Sequence, residues 1–369
     1  MMKSGIIMAA ALMALSLTAN SQNMGNQNTD VSFAPFEQLD ITFEWDKTFP
    51  KSDQVEHRKV TFMNCYGITL VADMYRPKEG RGSSPKVPSS GNMLPAIAVC
   101  GPFGAVKEQS SGLYAQQLAE RGFLTIAFDP SFTGESGGMP RRVASPDINT
   151  EDFSAAVDFL SVQPGVDAHR IGILGICGWG GFAINAAAND TRIKAAVAST
   201  MYDIGRVTAN GYNDAADNAD ARYKAKEAMN AQRTIDYRSG AYTRAGGVVD
   251  PLPDDAPLFV KEYYAYYKTP RGYHIRSGNS TDGWNITSSL PFVNFPLLDR
   301  AGEIRNAVMI VHGENAHSRY MGEDAFKKLN GSNKELLIVA GANHCDLYDN
   351  PDKIPFNQIA TFFHKWMTP

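Results

Sequence analysis

The run Arg170-Ile171-Gly172-Ile173-Leu174-Gly175-Ile176-Cys177-Gly178-Trp179-Gly180-Gly181 constrains the fold more than any other part of the chain. Ile171 to Ile176 is almost continuously apolar, as a strand buried on both faces of a parallel sheet must be. The chain then breaks at a glycine-rich point and resumes as Phe182-Ala183-Ile184-Asn185-Ala186-Ala187-Ala188, which is helix-forming. A buried strand, a sharp turn and a returning helix lift the apex side chain, here Cys177, above the sheet edge. Such a turn strains the apex backbone and needs small residues around it. Gly175, Gly178, Gly180 and Gly181 meet that need; Trp179, two positions after the apex, does not. The following helix aims its first N–H groups and positive dipole end at Cys177, which favours a thiolate and a developing oxyanion. The plainer alternative is an ordinary buried cysteine, since free cysteine is among the most buried residue types.

Strand–helix alternation continues through the chain. Strands are expected at 96–100, 123–129, 171–176, 195–199, 307–312 and 335–340, and helices near 112–121, 151–162, 180–189, 322–329 and 355–366. Alternating residues at 60–63 and 68–75 read as an antiparallel hairpin. This order implies an α/β fold with a mostly parallel central sheet flanked by helices. Residues 202–306 interrupt the alternation with a charged helical stretch at 220–235 and the run Tyr263-Tyr264-Ala265-Tyr266-Tyr267. They fall on the side where open α/β sheets bind ligands, and read as a helical cap insertion between core segments 43–201 and 307–369. Its tyrosines either line a substrate pocket or pack the cap onto the core.

A net charge of −4 gives no case for nucleic acid or an anionic membrane surface. Met1-Met2-Lys3, an apolar run from Gly5 to Leu17 and Ala19-Asn20-Ser21 read as a signal peptide over 1–21, with a flexible segment at 22–42. The expectation is an exported protein, periplasmic or secreted, with no stable membrane insertion, because the apolar run is too short to span. No metal-ligand cluster, P-loop or dinucleotide fingerprint stands out, so no metal and no cofactor is expected. The cysteines are Cys65, Cys100, Cys177 and Cys345. A domain of this size needs no staples, but a Cys177–Cys345 disulfide would silence the site.

Several blocks carry a family likeness: Cys100-Gly101-Pro102-Phe103-Gly104-Ala105-Val106-Lys107-Glu108-Gln109, Phe128-Asp129-Pro130-Ser131-Phe132-Thr133-Gly134-Glu135-Ser136-Gly137-Gly138, the Cys177 turn, and Gly341-Ala342-Asn343-His344-Cys345-Asp346-Leu347-Tyr348-Asp349. Together they resemble the dienelactone-hydrolase-like α/β-hydrolases of bacteria, over most of the chain after about Phe43. The resemblance implies an α/β-hydrolase fold and a cysteine nucleophile served by Asp and His. Many relatives of this type carry serine where this chain has Trp179, so here the nucleophile falls to Cys177, or activity is lost. Gly134-Glu135-Ser136-Gly137-Gly138 also matches G-x-S-x-G, but runs into Met139-Pro140 rather than a helix.

His344, after the last strand, is the expected base, with His312 and His317 as second candidates. On the resemblance the acid's position falls at Ala316. Glu314 is the first choice instead and Asp203 the alternative; Asp346 is too close to His344 in sequence. The oxyanion donors expected are the N–H groups of Gly178 and Phe103, since Pro102 has none. Lys107, Trp179 and Tyr202 are substrate-binding candidates. The activity expected is hydrolysis of small carboxylic esters or lactones through an acyl-enzyme, because a thiolate is a poor partner for amide cleavage. The alternatives are a binding protein on a hydrolase fold, or a cell-envelope acyltransferase or peptidase. The oligomeric state is left open.

Overall fold

The structure, a computed structural model, describes residues 37–78 and 93–368. The expected signal peptide and the Gly/Ser/Pro-rich loop at 80–92 lie outside the described residues. Eight strands form one sheet: β1 Val55–Met63, β2 Thr69–Pro77, β3 Leu94–Cys100, β4 Leu124–Phe128, β5 Val166–Ile176, β6 Ile193–Ser199, β7 Ala307–Gly313 and β8 Lys334–Val339. Their order is β1-β2-β4-β3-β5-β6-β7-β8. β1 and β2 form the expected hairpin, and β2 runs antiparallel to β4; every other pairing is parallel. The hairpin turn is built by Asn64, whose Oδ1 accepts the N–H groups of Tyr66 and Ile68 at 3.1 and 3.0 Å. Short polar side chains that bond their own backbone in this way favour turns over continued strand.

The central strands are buried on both faces because helices cover both. α1 (Ser110–Ala119) lies on one face, and α2 (Pro146–Ser161) and α3 (Gly178–Asn189) on the other. Alternation within β3 shows the division: Ile97 and Val99 pack with Leu113, Tyr114 and Leu118, whereas Ala96 and Ala98 pack with Phe153, Phe182 and Ala183.

Between β6 and β7 the chain adds no strand to the sheet. It forms α4 (Ile204–Asn210), α5 (Ala219–Ser239), α6 (Leu258–Tyr267) and α7 (Gly278–Thr281). α5 begins where Asn218 Oδ1 accepts the Ala221 N–H at 2.8 Å and ends at Gly240, which takes the left-handed conformation (φ 67°). α8 (Arg319–Lys328) follows β7, and α9 (Asp346–Asp349) and α10 (Phe356–Trp366) follow β8. α10 packs on the α1 face through Ile359, Phe362 and Phe363. Among the described residues no helix is long and apolar enough to cross a membrane.

Residues 37–42 fall in the segment expected to be flexible, yet they are tied down. Glu37 accepts the N–H groups of Thr69 and Gly138, and the Thr42 N–H bonds Glu135 at 2.7 Å. Carboxylates bonded to otherwise unmet backbone donors fix this part of the chain.

Candidate active site

The site is built where β5 turns into α3. Cys177 sits at the apex with φ 56° and ψ −125°, a conformation a non-glycine residue holds only when its surroundings enforce it. Three backbone bonds do so: the Cys177 N–H to Ser199 O (2.9 Å), and the N–H groups of Gly180 and Tyr202 to Cys177 O (2.9 and 2.8 Å). Helix and strand approach so closely that a Cβ on Gly175 would stand 2.0 Å from Trp179 O. The backbone of Trp179, not its indole, makes that approach. The ring turns into the core among Phe128, Phe153 and Phe182 and is 1 % exposed. The tight contacts expected of the position two after the apex pass to Gly180 and Gly181. Trp179 therefore does not face a substrate.

The Cys177 sulfur lies on a cavity of about 400 Å³ lined by Phe103, Ile204, Val207, Val248, Val260, Tyr202, Tyr263, Tyr267 and Tyr348, among others. Segment 202–306 supplies most of this lining, and no charged side chain is among the described residues that form it. Burial pushes the Cys177 thiol up. The hydroxyl of Tyr348, the N–H groups of Phe103 and Gly178, and the hydroxyl of Tyr263 face the sulfur and favour its charged form. The structure thus brings Cys177, Phe103, Gly178 and Tyr202 to one place. The tyrosine run at 263–267 serves both purposes foreseen: Tyr263 and Tyr267 line the cavity, while Tyr266 is buried against Tyr348 (ring centroids 5.0 Å apart).

His344 follows β8 in a loop closed by a reciprocal pair: Asn343 N–H to Asp346 Oδ2 (2.9 Å) and Asp346 N–H to Asn343 Oδ1 (2.8 Å). Asp346 is thus a loop-former. The ring of His344 is fully buried. Its Nδ1 bonds Ser318 Oγ at 2.6 Å and Thr200 Oγ1 at 2.9 Å, and its Nε2 bonds Tyr348 Oη at 2.9 Å. Burial, and after it His317 and His312, hold the imidazole well below its ordinary value, so it is neutral at neutral pH. Thr200 itself holds a positive φ of 43°, unusual for a β-branched residue.

Neither carboxylate expected as the acid is a partner of His344. Glu314 is exposed and its Oε2 accepts the Gly341 N–H at 2.8 Å, stapling the loops after β7 and β8. Asp203 caps α4, accepting the Arg206 N–H at 2.9 Å, and lines a different cavity of about 680 Å³ with Arg206 and Met321. Hydroxyls occupy the place a carboxylate was expected to fill. Of the second candidate bases, His317 has Nε2 2.5 Å from Tyr202 Oη, and burial lowers it to about 4. His312 is fully buried and lowered to about 3 by burial, then by His317 and Arg319. Ser136, in the rival glycine-flanked motif, is buried and donates to Asp129 O at 2.6 Å while accepting the Val71 N–H at 2.8 Å. All four cysteines are free thiols, Cys177 and Cys345 included.

Lys107 does not reach the cavity either. Its ammonium is completely buried, 2.8 Å from Glu108, 2.7 Å from Asp129 and 2.6 Å from Glu135. Those three carboxylates offer oxygens within 4.8 Å of one another, a spacing that suits a cation, and the Lys107 ammonium stands among them as that cation. Signals for Ser318, Thr200 and Tyr348 were weak in sequence. None of them was singled out from the sequence; the spacing His344-x-x-x-Tyr348 is the signal that could have found Tyr348.

Residues 66–346 match the family described as X-Pro dipeptidyl-peptidase (S15 family). The chain belongs to that family. It is 53 % identical to protein PA2218 of Pseudomonas aeruginosa over 97 % of this chain and 93 % of that one. The solved structure of PA2218 superposes with a TM-score of 0.83, covering 89 % of this chain and 99 % of that one. Protein YcjY of Escherichia coli is 36 % identical over 84 % of this chain and 99 % of its own length. The α/β-hydrolase GrgF from a Penicillium species shares the fold at a TM-score of 0.67 and 21 % identity, covering 85 % of this chain and 99 % of that one. This S15-family chain is accordingly a hydrolase of the α/β-hydrolase type.

Proposed function

We propose that this chain hydrolyses small, uncharged carboxylic esters or lactones with Cys177 as nucleophile. The observation that carries the reading is the Cys177 sulfur on a cavity without charged lining, facing the N–H groups of Phe103 and Gly178. The thiolate attacks the carbonyl carbon. The carbonyl oxygen gains negative charge and is held by those two donors, which are fixed before the reaction begins. His344, neutral and so able to accept a proton, takes the thiol's proton and returns it to the leaving alkoxide. It then activates water, which cleaves the thioester-linked acyl-enzyme. This division of labour is also the one implied by the likeness to dienelactone hydrolases.

The lining argues against the reaction in the family's description. A dipeptidyl-peptidase must recognise a free α-ammonium two residues from the bond it cuts, and a buried ammonium needs a carboxylate partner. No acidic side chain is among the described residues lining this cavity. A Cys–His pair without a carboxylate is also better matched to ester and lactone carbonyls than to amides, whose leaving group needs full protonation. Residues 1–21 have the pattern of a signal peptide, and on that expectation we place the substrate outside the cytoplasm.

The test is turnover of short-chain aryl esters, enol-lactones and an X-Pro anilide by the mature protein under reducing conditions, beside Cys177→Ala. Ester or lactone turnover that vanishes in the variant is the expected result. Turnover that survives the substitution, or an anilide cleaved faster than the esters, would refute the proposal.

A further inference from the structure

We infer that Tyr348 is a catalytic residue, carrying the proton from the Cys177 thiol to His344 Nε2. The inference rests on the reading of Cys177 as nucleophile and His344 as base.

Three observations lead to it. The first is the hydrogen bonding of His344. Its Nδ1 meets Thr200 Oγ1 at 2.9 Å and Ser318 Oγ at 2.6 Å, and these hydroxyls can give or take a proton. The relay uses the form with the proton on Nδ1, which leaves Nε2 a lone pair. The second is what that lone pair meets: Tyr348 Oη at 2.9 Å rather than the sulfur. The third is that Tyr348 and Cys177 line the same cavity, where the phenol favours the thiolate. One hydroxyl thus bonds the base and shares the cavity wall with the acid.

The placement follows from the local fold. Tyr348 lies four residues after His344, so both project from one side of the turn that leads into α9. The Asn343–Asp346 pair fixes that turn. Tyr266 packs edge-on against the Tyr348 ring at 5.0 Å, and Tyr267 does so at 6.3 Å, leaving little freedom to swing away.

The transfer balances. The S–H bond of Cys177 breaks as a new O–H bond forms on the phenol, and the phenol's original O–H breaks as N–H forms at Nε2. The result is a thiolate, an unchanged tyrosine and an imidazolium. A phenol ionises at about 10 and so need not ionise alone, because it gives and receives in one motion. In the reverse sense the same hydroxyl returns the proton toward the leaving alkoxide.

The test reads thiol reactivity, which needs no knowledge of the substrate. Iodoacetamide labelling of Cys177 is followed by peptide mass spectrometry against pH, in the full-length mature protein and in Tyr348→Phe, His344→Gln and the double variant. General-base assistance is worth roughly a hundredfold or more. Tyr348→Phe should therefore slow labelling at pH 7 by about that factor, as His344→Gln does, and the double variant should be no slower than either. In Tyr348→Phe the rate should follow the thiol's own ionisation, climbing steadily to high pH. Labelling of Tyr348→Phe at the unsubstituted rate, with His344→Gln slow, overturns the relay and leaves the Cys–His pair standing. Labelling unchanged in His344→Gln overturns the base assignment and the relay with it. Should Tyr348→Phe not fold, 3-fluorotyrosine at 348 keeps the shape and acidifies the phenol. A relay then moves the pH–rate curve to lower pH; an unmoved curve overturns it.

Discussion

Replacing Lys107 by Met gives the most direct test of how the oxyanion loop is held. The Lys107 ammonium is fully buried and within 2.8 Å of Glu108, Asp129 and Glu135 alike. Methionine keeps the length and apolar stem but removes the charge, leaving three crowded carboxylates. Lys59 still reaches Glu135 at 2.5 Å and Arg276 still reaches Glu108 at 2.9 Å, but Asp129 loses its cation. Breaking a buried pair by removing one partner costs about 3–5 kcal/mol. At about 2 °C per kcal/mol for a domain of this size, the melting temperature should fall by roughly 6–10 °C. The pH dependence supplies the sign. Burial already raises the Asp129 carboxyl, and Lys107 pulls it back down. Without Lys107 the carboxyl rises further, so the folded state takes up a proton as pH falls and the deficit shrinks. Urea unfolding at pH 8 and pH 5 measures both quantities. A loss below about 1 kcal/mol, or a deficit that grows on acidification, would refute the account. The Lys107 N–H bonds Asp129 Oδ1 at 2.8 Å and survives the substitution, so the folded variant should keep most of its thiol reactivity.

Trp179→Ala should destabilise by about 3–5 kcal/mol, by emptying a core site among Phe128, Phe153 and Phe182, while leaving the KM of the folded enzyme unchanged; denaturant unfolding and ester kinetics check the two parts. Ser318→Ala removes the shorter of the two bonds that hold His344 Nδ1 and should lower kcat about tenfold, whereas Glu314→Gln, which touches only the Gly341 N–H, should change kcat less than about twofold in the same assay. Acid should destabilise the fold. His312 and His344 are buried neutral with folded values below the ordinary 6.5, so the unfolded chain binds more protons below that pH, and each costs about 1.4 kcal/mol per pH unit. Urea midpoints that stay flat between pH 7 and 5 would contradict this. For the same reason turnover should persist below pH 6.5 rather than fall there, because His344 remains a free base; a pH–kcat profile breaking at 6.5 would count against that assignment.

Short-range physics made much of the fold readable. Apolar runs bounded by turns marked the parallel strands, because a strand covered on both faces must be apolar throughout. The Cys177 turn was legible because steric demand leaves a glycine signature that does not depend on the rest of the molecule. Side chains that meet only in three dimensions were not legible. Lys107 read as a substrate-binding candidate, yet it turns inward because Asp129 and Glu135, from beyond the next strand, supply buried negative charge. The acid was sought among carboxylates by position, and Glu314 was preferred. Its side chain is drawn instead to the Gly341 N–H, a donor freed by the loop after β8. Ser318 gave no signal because a serine before a helix reads as a cap. Here its hydroxyl makes no capping bond and goes to His344.

The same ionic cluster bears on how the cap is held. From segment 202–306, Arg276 reaches Asp46 at 2.6 Å and Glu108 at 2.9 Å, and Ser277 Oγ donates to Gly104 O at 2.9 Å. Glu108, Gly104 and Phe103 belong to one loop, so cap and oxyanion donor are fixed to a shared anchor. Burying these charges is a poor route to stability, since apolar residues of equal volume would pack as well or better. Ion pairs, however, are directional, and they add a fixed anchor to the aromatic packing of Phe103 on Trp284, whose ring centroid lies 4.5 Å away. The cluster's role is then geometric. Weakening it from the cap side with Arg276→Met should loosen the Phe103 donor, lowering kcat for esters more than the rate of Cys177 alkylation, because that N–H favours the thiolate in both reactions but holds an oxyanion only in ester turnover. Equal losses in both rates would show instead that the cap acts on the thiol itself.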